Sequence, residues 1–226
     1  GYRTVHVMAE NLYFLASSRT IEIEDNLDIE EAWNAGINLT GYVPLGGREL
    51  RLTGEVYRTS FKKQIVTDLD TDIDRVLFYN LDGRSFSNVI QLEAQVQPLT
   101  GLDITAAWRW NDVRQTIGGD LREKPLSSRW KGLLTASYTT RMRKWQFDWT
   151  LQYNGPGRIP STMANPEPYQ RYDYFSAYPV MNAQVTKYFR KWSIYIGGEN
   201  ITGSRQHDAI IAAENPFGDY FDATMI

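Results

Sequence analysis

From Trp145 to Gly155 the chain reads WQFDWTLQYNG. Trp145, Phe147, Trp149, Leu151 and Tyr153 alternate with Gln146, Asp148, Thr150, Gln152 and Asn154. A period of two predicts a β-strand with one apolar and one polar face. The same alternation recurs in Trp33–Val43, Leu50–Val56, Phe86–Val96, Leu102–Trp110, Trp130–Tyr138, Met181–Phe189 and Trp192–Ile196. Together these stretches predict about eight strands. Asn88 interrupts the apolar face of the third. The connections alternate as well. PLGGRE, QPLTGLD, TTRMRK and RK are short, whereas 61–85, 112–129, 155–178 and the stretch from Glu199 onward are long. Short turns at one end and bulky loops at the other predict an antiparallel meander, since soluble sandwiches mix Greek-key crossings into their strand order.

Strand length narrows the reading. Soluble strands run about 5–6 residues, but several of these approach the roughly 10 residues needed to cross a bilayer at a tilt of about 45°. The rise from Trp145 to Tyr153 is about 26 Å at roughly 3.3 Å per residue, close to the apolar band of about 25 Å that aromatic girdles flank in outer-membrane barrels. Trp145 and Trp192 follow short turns, while Trp33, Trp110, Trp130 and Tyr153 stand beside long loops. Indole and phenol rings favour such interfaces because one edge is apolar and another forms hydrogen bonds. The expectation is an all-β, transmembrane, antiparallel up-and-down barrel whose apolar face meets lipid. A mean hydropathy of −0.45 does not oppose it, because barrel strands are only half apolar.

Composition removes several classes. The 226 residues carry a net charge of −3 and contain no cysteine. There is thus no polycationic signature for nucleic acid, no disulfide framework and no thiolate metal site. No GxSxG, P-loop or Cys/His pair supports catalysis, so a non-enzyme is expected. DLDTDID at Asp68–Asp74 invites a calcium reading, but the EF-hand positions for Gly and Glu hold Ile73 and Tyr79. A looser loop calcium site stays open, and no cofactor is implied. His6 and His207 form no HxxxH arrangement.

The polar faces carry Glu93, Asp103, Arg109, Lys131 and Asp148. Side chains fill a closed eight-stranded barrel, so this many long charged groups point to a wider, wet lumen. The loop 155–179 holds Arg158, Tyr169, Arg171, Tyr172, Tyr174 and Phe175. Arg and aromatic residues on loops are frequent recognition groups. The candidate ligand-binding set is therefore Arg158, Tyr169, Arg171, Tyr172 and Tyr174 in the loop, with Arg109 and Asp148 in the lumen.

Several stretches are similar to one known family. They are GYRT at the start, AEN and LASSR shortly after, EEAWNAGINLT at Glu30–Thr40, GEVYRTSFKKQIVTDLD at Gly54–Asp70 and YNLDGRSFSNVIQLE at Tyr79–Glu93. Most specific are YIGGENITGSRQ at Tyr195–Gln206 and AENPFGDYFDATMI at Ala213–Ile226. They resemble the carboxyl-terminal part of the TonB-dependent outer-membrane receptors, over nearly the whole chain. The resemblance implies that residues 1–226 are part of one barrel domain, about eight to ten strands of a barrel of about 22. The amino-terminal plug, the TonB-contacting box and the final strand would lie outside this sequence. It further implies active import across the outer membrane of a scarce or bulky nutrient, such as an iron chelate, haem, cobalamin or a glycan. TonB would supply the energy through the absent amino-terminal segment. Membrane lipid and lipopolysaccharide would surround the wall, and a surface lipoprotein is a further candidate partner. The alternatives are a small, complete outer-membrane barrel acting as adhesin or enzyme, and a soluble lectin-like sandwich.

Overall fold

The computed structural model describes residues 1–207 and 209–224, so the last two residues of the AENPFGDYFDATMI stretch lie outside the described residues. In chain order the strands are Tyr2–Arg3 (β1), Thr20–Ile23 (β2), Glu30–Leu45 (β3), Arg48–Lys63 (β4), Ile65–Asp68 (β5) and Arg75–Asn80 (β6). Ser85–Leu99 (β7), Leu102–Ile117 (β8), Asp120–Glu123 (β9), Trp130–Thr139 (β10) and Trp145–Asn154 (β11) follow. Gly157–Arg158 (β12), Tyr174–Phe175 (β13), Tyr178–Tyr188 (β14) and Ser193–Gly198 (β15) complete the set. Among the described residues helix is confined to short pieces at Val7–Glu10, Leu12–Ala16 and Glu167–Tyr169.

One sheet dominates. Its order is β1-β3-β4-β7-β8-β10-β11-β14-β15, with β9 folded back on β8, and every pairing is antiparallel. β3, β4, β7, β8, β10, β11, β14 and the shorter β15 are the predicted meander. They are joined alternately by tight turns and long excursions. Gly46 and Gly47, with φ of +55° and +79°, make the two-residue turn between β3 and β4, where two left-handed residues match the twist of the flanking strands.

The strands run further than the hydrophobic alternation. β4 was expected to stop at Val56 and continues to Lys63; β8 was expected to stop at Trp110 and continues to Ile117. Past Val56 the apolar side of β4 turns polar with Arg58 and Ser60, yet the ladder goes on, pairing Arg58 with Ala35 and with Asn88. Backbone pairing does not need an apolar face. Asn88, the sequence irregularity, belongs to this polar extension, where it accepts a hydrogen bond from Arg58 Nη1 at 2.8 Å and donates to Asp112 Oδ2 at 3.3 Å.

Register aligns one apolar face across the sheet. Ile37, Val56, Ile90, Trp110 and Trp130 form one cross-strand row, and Gly41, Leu52, Ala94, Ala106, Leu134, Leu151 and Met181 form another. Among the described residues no second sheet covers this face: Trp33, Ile37, Leu39 and Ile196 are 66–77% exposed. A contiguous apolar surface of this extent is not left bare to water. The buried apolar residues lie elsewhere. Phe14, Leu69, Val76 and Phe78 pack together between the amino-terminal segment and a small three-stranded sheet, β2-β6-β5, in the long-loop region. β5, β6, β9 and the β12–β13 pair fall within stretches that read as plain loops in the sequence, and β2 precedes the first strand that the alternation predicts.

The sheet does not close on itself. β1 and β15 end the path, and all six residues of β15 are exposed. The architecture is an open, partial barrel wall.

Candidate functional site

The long connections fold over the polar face of the sheet, the face opposite the tryptophans. Along it, Gln91, Arg109, Lys131, Asn154 and Tyr178 are successive cross-strand neighbours on β7, β8, β10, β11 and β14. Above this row Ser127, Ser128, Ile159 and Phe175 come down from the loops and enclose a cavity of about 450 Å³, which Arg109 and Lys131 also line. Asn111 ties roof to wall, donating from Nδ2 to the Ser128 carbonyl at 3.1 Å and accepting from Arg109 Nε at 2.8 Å. A second cavity of about 780 Å³ lies further out and shares Ile159, Phe175, Tyr178 and Gln206 with the first. Arg171, Tyr172, Tyr174, Arg205 and His207 add to its wall.

The roof is held by a buried ion pair between two loops. Arg158 Nη1 and Nη2 each donate to one Asp70 oxygen at 2.8 Å, and Nε donates to the Glu123 carbonyl at 2.6 Å. The two side chains are 12% and 0% exposed, and the Ser161 N–H donates to Asp70 Oδ1 at 2.8 Å. Burial alone would raise the Asp70 pKa, but the Arg158 guanidinium and the Ser161 N–H outweigh it and hold the carboxyl below the usual carboxylate range. Asp68, nearby and buried, accepts from the backbone N–H groups of Asp70 and Thr71 at 2.8 and 2.9 Å and from the Tyr79 hydroxyl at 3.0 Å. Burial first, and then the Asp68 charge, push the Tyr79 phenol up to about 12.

These contacts place the DLDTDID carboxylates apart. Asp68 folds its own loop, Asp70 meets Arg158, and Asp72 pairs with Arg75 at 3.3 Å. Among the described residues no three His, Asp or Glu side chains converge to hold a metal ion.

The sequence-selected candidates separate into groups. Arg171, Tyr172 and Tyr174 line the outer cavity and Arg109 the inner one. Tyr172 is 92% exposed, and the Tyr174 ring lies 4.4 Å from the Arg129 guanidinium carbon. Arg158 is consumed by the Asp70 clamp. Tyr169 sits outside both cavities, stacked on Tyr220 at 5.7 Å with its hydroxyl donating to Glu214 at 2.8 Å. Asp148 is on the polar face but lies elsewhere, accepting from Ser137 Oγ at 2.6 Å and Gln146 Nε2 at 2.8 Å. Lys131, Ser128, Tyr178 and Gln206 were not selected. Lys131 was legible as a lumen residue, but its position opposite Arg109 depends on strand register.

Comparison with known proteins agrees with this architecture. Residues 7–201 match the family described as TonB dependent receptor-like, beta-barrel. No curated protein sequence matches the chain. Among solved structures, a variant of the ferric enterobactin receptor PfeA from Pseudomonas aeruginosa is similar at a TM-score of 0.57 and 16% identity, covering 89% of this chain and 31% of that receptor. The FrpB iron transporter from Neisseria meningitidis is similar at 0.56 and 13%, covering 82% and 28%. The copper transporter OprC is similar at 0.57 and 12%, covering 80% and 26%. The chain therefore spans between 26% and 31% of the length of these structures.

Proposed function

We propose, from the premise that this chain belongs to the TonB dependent receptor-like β-barrel family, that it forms part of the wall and ligand-facing loops of an outer-membrane importer. Members of the family are receptors and transporters of the Gram-negative outer membrane that work with TonB, and are not enzymes. The nutrient is scarce or too bulky for porins, and it enters through the loop cavities over the polar face. The remaining strands pair with β15 and with the edge of β3 that β1 leaves uncovered, where unpaired backbone in lipid would cost several kcal/mol per group. TonB contacts, energy coupling and any lipoprotein partner belong to the full-length receptor.

One observation carries the reading. Apolar side chains stand exposed and in register on one face of eight antiparallel strands, seven of them 10–16 residues long, while the loops roof the opposite, polar face. A soluble sandwich would bury that apolar face against a second sheet, and a complete eight-stranded barrel would pair β15 with β3. Neither pairing occurs among the described residues. Solved structures with the same fold carry names that tie them to ferric enterobactin, iron and copper. Similarity at 12–16% identity transfers the fold, so iron chelates, haem, cobalamin, glycans and copper all enter the test. A deletion strain is grown with each as the limiting source. Growth is expected to fail on one of them and to return with the full-length gene, but only when TonB is functional. Wild-type growth on every source would refute the proposal.

A further inference from the structure

Arg109 and Lys131 occupy directly opposed positions on β8 and β10, on the polar face. Opposed residues on neighbouring strands bring their Cβ atoms to about 4.5–5.5 Å, and like charges placed so destabilise a sheet. Several other cations of the upper wall are paired with carboxylates, while Arg58 meets the neutral Asn88 at 2.8 Å. Arg114 meets Asp112 at 2.8 Å, Arg129 meets Glu123 at 2.8 Å, Lys62 meets Glu31 at 3.0 Å and Lys63 meets Asp28 at 3.2 Å. Neither Arg109 nor Lys131 has a carboxylate within 4.0 Å among the described residues. The guanidinium is instead steadied by a neutral group, Asn111.

The surroundings fit an anion. The inner cavity is lined by hydroxyl and amide groups from Ser87, Ser127, Ser128, Tyr178 and Gln206, and by no Asp or Glu among its described residues. All of these groups can donate hydrogen bonds, and charge-assisted bonds to an oxyanion are stronger than neutral ones. This concentration of donors occurs in a chain whose net charge is −3, so the local field opposes the overall one. Phe175 and Ile159 supply an apolar side wall and continue into the outer cavity, where Tyr172 and Tyr174 stand.

We infer that the Arg109–Lys131 pair is an oxyanion-binding site for a carboxylate, phosphate or sulfate group of the ligand, whose body extends outward along Phe175 and Tyr178 into the tyrosine-lined cavity. The inference rests on the import reading and narrows it to ligands carrying negative charge.

The test uses the full-length receptor purified in detergent and titrated calorimetrically with citrate, pyrophosphate and sulfate, which separate the three oxyanion chemistries. A neutral gluco-oligosaccharide is the control. At least one anion is expected to bind, more weakly as salt is raised, and to lose roughly tenfold or more in affinity in Arg109→Gln or Lys131→Gln. Lys131→Glu creates a cross-strand ion pair with Arg109. It is expected to abolish anion binding without lowering the thermal midpoint, a combination that loss of folding would not produce. Binding of none of the three anions by the wild-type receptor would overturn the site and indicate that an acidic side chain of the full-length receptor occupies the pair. Equal binding by the glutamine variants would overturn it as well. A nutrient phenotype without anion binding removes the site alone, whereas anion binding in a strain with no import defect removes the import reading alone.

Discussion

Gly155 lies flat against the indole of Trp130: a Cβ placed there would stand 2.7 Å from Cδ2, Cε2 and Nε1. Trp130 in turn stacks on Tyr153 at 5.4 Å with ring planes 4° apart. Glycine here lets an aromatic ring of the upper girdle lie on the backbone of the neighbouring strand, and the ring shields that backbone. Gly155→Ala must push the indole off Tyr153 and is expected to cost about 1–3 kcal/mol, the usual range for overpacking, measured by thermal or denaturant unfolding of the full-length receptor. Gly41 provides the comparison. A Cβ there meets nothing within 4 Å, and Gly41→Ala is expected to leave the midpoint unchanged. An equal effect at both positions would contradict the stacking account.

Among the elements, the roof over the cavities depends on the clamp between the β5–β6 connection and β12. Arg158→Ala would leave the Asp70 carboxylate buried without its guanidinium, at a local cost of about 3–5 kcal/mol. Limited proteolysis is expected to cut the loop 155–177 faster in this variant while the barrel strands stay protected. Acid should act in the same direction. The folded-state pKa of Asp70 lies below its unfolded value of about 3.9. The stabilisation is therefore present above that pH and is lost as pH falls through the lower, folded value. Proteolysis of this loop is expected to accelerate below about pH 4 in the wild type, and to change less with pH in Arg158→Ala. The same acid dependence in both proteins would assign the effect to another group.

For the whole molecule, the two faces of the sheet meet different solvents, and register decides which residue meets which. Leu134 and Thr135 are sequence neighbours with opposite outlooks. Leu134 lies in the apolar row with Ala106 and Leu151, whereas Thr135 pairs with Thr105 and Thr150 on the polar face. In the full-length receptor Leu134→Arg is expected to lower stability in lipid by about 2–4 kcal/mol, the cost of a cation near the bilayer midplane. Thr135→Arg is expected to fold normally and to alter solute passage. Folding titrations into vesicles measure the first effect and TonB-dependent uptake in cells the second. Equal tolerance at both positions would mean that lipid does not face Leu134.

Strict alternation carried the eight meander strands, their antiparallel order, the outward tryptophans and the assignment of Glu93, Asp103, Arg109, Lys131 and Asp148 to the polar face. A pleated backbone sends consecutive side chains to opposite sides whatever the rest of the chain does, so this much was local information. The strand ends escaped it, because pairing outlasts the apolar pattern at Arg58 and Ser60. So did the small sheet of β2, β5 and β6, in which β2 pairs with β6 across 55 residues of sequence. The fate of the loop residues was also not local. Arg158, Tyr169 and Tyr174 look equally suited to a ligand in the sequence, yet Asp70 claims the first, Tyr220 and Glu214 hold the second, and of the three the third alone lines the tyrosine-rich outer cavity. The sequence by itself determined which face of each strand is apolar. Only the tertiary structure decided which charges stand beside one another, because side-chain neighbours across strands and loops are set by register and chain path, which no local pattern encodes.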